Sequence, residues 1–307
     1  MQPTLDLEKI KEIVQLAIKE DIGKGDITAR IFIPESSESE GIFITKEDGI
    51  IAGLPVAKYV FSQIDNSLLF SSNIEDGSKI NKDTILAKVK GSALSILSAE
   101  RLALNFLQRL SGIATHTNEF VQKVKGYKTQ IMDTRKTTPG WRYLEKYAVR
   151  VGGGVNHRMG LYDQILIKDN HLKIIEEDQK KKRSENLFKE NGLIHKLVEK
   201  ARKQTGNGML IEVEVEDLSH IKNMLDTGVD IIMFDNMESS KISEAVNMVR
   251  EFERAQNARN GKAVLTEASG NISIENVEEY AKTGVDRISV GTITHSARAL
   301  DISMDII

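Results

Sequence analysis

Three groups of cations sit beside glycines and short apolar runs between Asp133 and His171. They are Arg135 and Lys136, then His157 and Arg158 after Gly152-Gly-Gly154, then Lys168 at the end of Ile165-Leu-Ile167. A solvated surface intersperses its Lys and Arg with Asp and Glu. Cations placed at glycine turns and at the end of an apolar run converge instead on something anionic. The stretch reads as a site for a substrate with several phosphates or carboxylates, which Arg forks and Lys point charges suit. Lys168 admits two roles: a Schiff-base nucleophile, if desolvation lowers its pKa, or a charge-neutralising ligand. Among so many cations the second is the simpler. A lone His is more often structural than catalytic, but His157 beside Arg158 and a glycine turn suits a carboxylate. His171, His195, His220 and His295 have no metal-ligand spacing.

Further polar residues end other apolar runs. Glu214 and Asp235 each read equally well as a structural ion pair, but as two carboxylates they suit Mg²⁺ and ribose hydroxyls. Ser269-Gly270-Asn271 and Val290-Gly291-Thr292 put small residues, with exposed backbone N–H groups, where barrels often hold phosphate. Arg101, Asn105 and Gln108 form one polar stripe on an otherwise apolar helix. That stripe is either solvated or reaches a site across an interface.

The elements that must carry these residues fall into two rhythms. Leu7, Ile10, Val14 and Ala17 recur at helical spacing with Asp6 as N-cap. Asp21-Ile-Gly-Lys-Gly-Asp-Ile-Thr28 follows and reads as a plain turn. Strands are predicted at 42–46, 50–52, 68–72 and 84–90, with a helix over 55–64 that has Pro in its first turn; together they suggest a small α+β domain. A long helix, apolar on most of its circumference, is predicted over 92–110. After Gly112 strands (129–132, 165–167, 209–215, 230–234, 263–266, 287–290) alternate with helices (193–203, 218–225, 240–255, 274–282). Thr227-Gly-Val-Asp230 and Thr283-Gly-Val-Asp286 echo one another. Repeated β-then-α units imply a parallel sheet, open or closed into a barrel, with chemistry at its carboxyl edge. The charged run 180–190 reads as a solvated helix or insertion.

The chain of 307 residues is long enough for one large domain or two, with 40% hydrophobic and 28% charged residues, ordinary for a globular protein. Its formal charge of −3 supplies no global attraction for nucleic acid or an anionic membrane, so any anion site is built locally. The absence of cysteine excludes disulfides, thiolate metal sites and Cys nucleophiles. No signal peptide is visible and no apolar run approaches the ~20 residues of a membrane span, so a soluble cytoplasmic protein is the expectation.

Several motifs resemble the quinolinate phosphoribosyltransferases, also called nicotinate-nucleotide pyrophosphorylases (carboxylating). They include Asp133-Thr-Arg-Lys-Thr-Thr-Pro-Gly140, Gly152-Gly-Gly-Val-Asn-His-Arg158, Leu166-Ile-Lys-Asp-Asn-His171, Ser98-Ala-Glu-Arg-Leu-Ala-Leu-Asn105, Glu212-Val-Glu-Val215, Phe234-Asp-Asn236 and Glu267-Ala-Ser-Gly-Asn271. They run in order along nearly the whole chain. The resemblance implies an N-terminal α/β sandwich (1–112, with the tail from about 293 to 307 a candidate to join it) and an incomplete α/β barrel (113–292). It also implies a homodimer in which Arg101 reaches the partner's site, and Mg²⁺ as cofactor. Arg135, His157, Arg158 and Lys168 would surround quinolinate, with Thr134 beside them. Lys136 and Lys168 would meet the pyrophosphate of phosphoribosyl pyrophosphate. Glu214 and Asp235 would sit by the ribose and the metal. Ser269, Gly270, Asn271, Val290, Gly291 and Thr292 would hold the 5′-phosphate. Lys136, Lys168, Glu214 and Asp235 are the expected catalytic set. The sequence departs from the family at Trp141, where a smaller aliphatic residue is expected, at Asn271, often glycine, and in a longer charged stretch over 174–190.

Overall fold

Asp6 accepts the Glu8 N–H and starts the winding that continues as α1 (Lys11–Asp21). Asp26 accepts the Ala29 N–H and caps α2 (Ile27–Phe32), so the expected turn at 21–28 ends inside a second short helix. The computed structural model describes residues 3–181, 192–257 and 263–307; most of the charged run 180–190 lies outside them. Two compact units are present, one of residues 1–121, 136–156 and 291–307, the other of 122–135 and 157–290.

The first unit holds an antiparallel sheet of β1 (Glu38–Thr45), β3 (Leu69–Ser71), β5 (Ile85–Ser92) and β12 (Ile302–Ile306), in the order β12-β1-β5-β3. The C-terminal strand pairs with β1 along Gly41↔Ile306 to Thr45↔Ile302. Two further short strands, β2 (Gly49–Ile50) and β4 (Lys79–Ile80), pair with each other. Alternate residues of β1 face the core, and Phe43 meets Phe61 of α3 (Leu54–Ile64) edge-on at 5.9 Å.

The long helix α4 spans Ala93–Lys123 and does not stop near Leu110 as the apolar pattern suggested. Gly112 accounts for the difference. A Cβ there would lie 1.9 Å from the Arg298 carbonyl oxygen, so this glycine admits a close approach of backbone and is not a terminator. The division expected at 112 therefore falls inside a continuous helix. Helix α5 (Arg142–Val151) was not foreseen, because Glu145 and Lys146 are fully buried and break the apolar stripe that would mark its inner face. Trp141, at its N-terminus, stacks on Phe106 with ring centroids 4.7 Å apart, which explains a large side chain there.

The second unit contains a parallel sheet of β6 (Gln130–Met132), β7 (Ile165–Ile167), β8 (Ile211–Val215), β9 (Ile231–Asp235), β10 (Leu265–Ser269) and β11 (Arg287–Ser289). The order β6-β11-β10-β9-β8-β7 leaves β6 and β7 as edges, an α/β barrel that does not close. Helices α6 (Asp169–Lys181), α7 (Leu193–Thr205), α8 (Ile221–Leu225), α9 (Ser239–Asn257) and α10 (Val277–Lys282) alternate with the strands. The repeated Thr-Gly-Val-Asp motif is one device used twice. Gly228 and Gly284 take φ of +79° and +80°, leaving α8 and α10 respectively. Asp230 then pairs with Arg202 of α7 and accepts the Ile211 N–H that opens β8. Asp286 pairs with Arg250 of α9 and accepts the Thr266 N–H of β10. Each aspartate thus ties a strand start to a helix at the amino edge of the sheet, where polar residues serve stability.

Candidate active site

The parallel register brings the carboxyl ends of the strands level. Ser269 lies opposite both Asp235 and Ser289, and Ser289 lies opposite Met132. Along β8 side chains alternate, so Glu212 and Glu214 project from the same face, Glu212 one layer deeper. Strands covered on both faces normally read as unbroken apolar runs, and two carboxylates there require partners.

Glu212 finds its partners at His157. The imidazole Nε2 lies 3.2 Å from Glu212 Oε2 and 3.4 Å from Glu267 Oε1. Gln164 Nε2 donates to Glu212 Oε2 at 2.5 Å, and the Ser289 hydroxyl donates to Glu267. Both glutamates are fully buried. The Arg158 N–H donates to His157 Nδ1 at 2.7 Å, and the His157 N–H donates to Asp133 Oδ1 at 2.9 Å. Burial alone would strip a proton from His157, but the hydrogen bonds to Glu212 and Glu267 reverse that and raise the ring's proton affinity. Because Nδ1 already accepts an N–H, we place the ring proton on Nε2. A further proton falls to Glu212, whose carboxyl burial and the neighbouring Glu267 push up to about 7. Glu212 Oε1 and Glu267 Oε2 are buried without a hydrogen-bond partner, as a protonated carboxyl in a coupled pair accommodates. Both ring nitrogens of His157 are thus engaged inside the unit.

Nearer the sheet edge Lys168 Nζ lies 2.6 Å from Glu214 Oε2, with the lysine side chain 43% exposed and the carboxylate 6%. Burial raises the Glu214 pKa, Lys168 opposes this, and Asp235, close enough to hydrogen-bond, adds to the rise. Lys168 is itself fixed at the backbone, where its N–H donates to His171 Nδ1 at 3.0 Å. Glu214 and Asp235 are hard oxygen donors whose mutual repulsion a cation relieves, so their chemistry fits the expected Mg²⁺. Among the described residues, the only group of three with ligand atoms close enough for a metal is His157, Glu212 and Glu267, already held together by hydrogen bonds.

The guanidinium groups of Arg135 and Arg158 lie close enough to repel one another, with Glu212 and Asp163 partly offsetting the effect at Arg158. Burial lowers the pKa of Arg158, and the charge of Arg135 lowers it further. Such a pair is relieved by an anion. Thr134, half-buried, precedes Arg135. Arg158 is aimed by a hydrogen bond from Nη1 to the Gln164 carbonyl at 3.2 Å. At the neighbouring corner Gly270 takes φ +91°, and a Cβ on it would lie 2.2 Å from Asn236 Oδ1. Asn271 takes φ +53°, a region that asparagine enters more readily than most residues, and its side chain donates to Asn236 Oδ1 at 3.1 Å. Asparagine and glycine are therefore interchangeable in backbone terms there. Val290 departs from expectation: it is buried and its N–H donates to the Met132 carbonyl at 2.9 Å, so it is not an exposed phosphate donor.

The structure thus brings Arg135, Lys168, Glu214, Asp235, Ser269, Gly270 and Asn271 to the carboxyl ends of the strands of one sheet, while Arg158 is hydrogen-bonded to the Gln164 carbonyl just before β7. Lys136, Gly291, Thr292 and Arg101 belong to the other unit. There the Lys136 carbonyl accepts from the Thr294 hydroxyl at 2.8 Å, and Thr292 opens the short helix α11 (Thr292–His295). Exposed Arg101 lines a cleft of about 650 Å³ with Lys24, Arg30 and Ser98, so the loop at 21–28 is more than a connecting turn. Residue types and spacing placed Asp133 and Glu267 at strand ends but did not assign Gln164, Glu212 and Ser289. The signal available for Glu212 was its i, i+2 relation to Glu214 in an otherwise apolar strand.

Family comparison agrees with this geometry across the chain. The quinolinate phosphoribosyl transferase C-terminal domain matches residues 113–305, and the N-terminal domain of the same family matches 26–111. The chain is 40% identical to quinolinate phosphoribosyltransferase [decarboxylating] 1 of Nicotiana glauca, covering 99% of this chain and 83% of that protein. It is 41% identical to a probable nicotinate-nucleotide pyrophosphorylase [carboxylating] of Bacillus subtilis, covering 97% and 93%. The solved nicotinate-nucleotide pyrophosphorylase of Francisella tularensis superposes with a TM-score of 0.86 at 37% identity, covering 100% and 99%. With both domains matched in order and relatives near 40% identity along almost its full length, the chain belongs to the quinolinate phosphoribosyltransferase family.

Proposed function

We propose that this protein transfers the phosphoribosyl group of phosphoribosyl pyrophosphate to quinolinate with loss of CO₂. The products are nicotinate mononucleotide and pyrophosphate, in de novo NAD biosynthesis. The observation that carries the reading is the grouping of Lys168, Glu214 and Asp235 at the carboxyl ends of the strands, in a unit whose Arg135 and Arg158 lie close enough to repel one another. Two guanidinium groups match the two adjacent carboxylates of quinolinate, each through charge-assisted forks worth about 1.5–3 kcal/mol per bond.

Arg135, Arg158 and Lys168 bind quinolinate, and His157, held between Glu212 and Glu267, fixes the backbone from which Arg158 extends. Lys136 and Lys168 neutralise the pyrophosphate. Glu214 and Asp235 face the ribose hydroxyls; Ser269, Gly270, Asn271, Gly291 and Thr292 take the 5′-phosphate. As the C1′–O bond to pyrophosphate breaks, positive charge develops on the ribose, and Glu214 and Asp235 stabilise it. The pyridine nitrogen then bonds to C1′ and becomes cationic. Loss of CO₂ from the adjacent carbon leaves its electron pair beside that cation, and solvent supplies the proton, so no dedicated base is required. Glu214 and Asp235 would also hold Mg²⁺, which supplies charge neutralisation to the leaving pyrophosphate.

The same reading makes the active unit a homodimer with Arg101 contributed to the partner's site, supported by the exposed cleft in which Arg101, Lys24 and Arg30 outnumber Asp21 and Asp26. It places the protein in the cytoplasm. No helix of the described residues is long and apolar enough to cross a membrane. The test is release of CO₂ and pyrophosphate from phosphoribosyl pyrophosphate, Mg²⁺ and either quinolinate or nicotinate. Turnover with quinolinate alone is expected; turnover with nicotinate alone, or none with quinolinate, overturns the assignment.

A further inference from the structure

Outside the parallel sheet, a buried glutamate paired with a half-buried arginine organises two backbone segments at once. Arg109, on α4, donates from Nη1 to the Ala297 carbonyl at 2.6 Å and from Nη2 to the Thr294 carbonyl at 2.5 Å. The same Nη2 lies 3.0 Å from Glu145 Oε1. Glu145 is fully buried, and its carboxylate accepts the Thr138 hydroxyl at 2.9 Å and the Thr138 N–H at 3.1 Å. The ring closes through Thr294, also fully buried, whose hydroxyl donates to the Lys136 carbonyl at 2.8 Å.

We infer that Arg109 and Glu145, acting through Thr138 and Thr294, are positioning residues that hold the Lys136 segment against the Gly291 turn so that both present to the pyrophosphate-bearing substrate. Two observations separate this from a general stabilising ion pair. First, the side-chain partners of both charges lie in 136–138 and 294–297 or in the pair itself, the segments that carry Lys136 and follow Gly291. Second, a Cβ on Gly291 would lie 2.9 Å from Lys136 Cδ, so the lysine stem already packs against that turn. A buried pair contributes little net stability compared with an apolar replacement, so its value lies in the geometry it imposes. Arginine is required because its planar fork meets three acceptors in two segments, which a lysine cannot span.

The inference rests on the assignment of Lys136 and Gly291 to phosphoribosyl pyrophosphate, and the test keeps the two apart. Thr294→Val keeps the side-chain volume and removes the one hydroxyl that reaches Lys136; Thr294→Ser keeps that hydroxyl. In Thr294→Val the KM for phosphoribosyl pyrophosphate should rise tenfold or more while that for quinolinate stays within twofold. Amide exchange over 136–138 should quicken by a similar factor, and Thr294→Ser should restore both. Arg109→Lys and Glu145→Gln should shift the same KM in the same direction where their melting curves show a folded protein. Unchanged exchange in Thr294→Val, or equal shifts in both KM values, would overturn the positioning role. A wild-type protein without turnover would overturn the proposed activity and the purpose given to this ring, while exchange would still report whether the ring restrains the segment.

Discussion

Glu212 and Glu214 leave the same face of one buried strand two residues apart, yet one pairs with a buried imidazole and the other with a partly exposed lysine. Glu212 is enclosed by His157, Gln164 and Glu267, whereas Glu214 meets Lys168, whose side chain is 43% exposed. The deeper carboxylate shapes the floor of the site. The shallower one lies beside Asp235 and Lys168.

That difference predicts a pH dependence of stability. The folded Glu212 is raised from 4.5 to about 7, so the folded state holds a proton that the unfolded chain has already lost. Its stabilising contribution is complete below about pH 4.5 and is lost as the pH rises through about 7, by up to roughly 3 kcal/mol. Melting curves between pH 5 and 8 should show that decline in the wild type and a flatter profile in Glu212→Gln. Parallel profiles would show that Glu212 carries no such proton.

Lys168 should act as a charge. Its amine lies 2.6 Å from the Glu214 carboxylate, the geometry of a charge partner and not of a free nucleophile. Borohydride added during turnover should leave Lys168 unlabelled, while Lys168→Ala lowers kcat by about 10²–10³-fold, the scale for loss of one transition-state charge contact. A reduced adduct at Lys168 would restore the nucleophile.

Arg158→Lys should be far from conservative. A lysine retains the charge but loses the fork, so the KM for quinolinate should rise by about 10–100-fold, the equivalent of one to two charge-assisted hydrogen bonds. An unchanged KM would remove Arg158 from the acid pocket.

Gly112→Ala should destabilise the fold, against the usual gain of about 1 kcal/mol for this change inside a helix. The added Cβ would lie 1.9 Å from the Arg298 carbonyl, and forced overpacking costs about 1–3 kcal/mol or more. Denaturant unfolding gives the sign directly.

Arg101→Ala and Lys168→Ala should complement one another. Each homodimer should be inactive, and mixed subunits should recover part of the activity through one intact site. Failure to recover, with exchange demonstrated, argues against Arg101 serving the partner.

Much of this molecule was legible before any coordinates. The β7 prediction matched its observed bounds of 165 to 167, and the others of the parallel sheet lay within a few residues, because short apolar runs ending in Gly or a charge mark buried strands. The repeated Thr-Gly-Val-Asp motif foretold a repeated unit, since only glycine readily adopts the left-handed backbone that leaves each helix. The exposed cations and carboxylates at strand ends were legible because position at a sheet edge follows from strand order alone.

What stayed hidden was every polar group whose meaning depends on a distant partner. That the His157 Nε2 lies against Glu212 and Glu267, from two other strands, is written in no sequence pattern. Helix α5 was overlooked because Glu145 and Lys146 face inward, and α4 was cut short because Gly112 looked like a stop. Composition and periodicity determined that a parallel sheet would present cations and carboxylates along one edge. Only the tertiary structure decided which of them remain available to a ligand, because burial and long-range pairing turn identical side chains into either framework or chemistry.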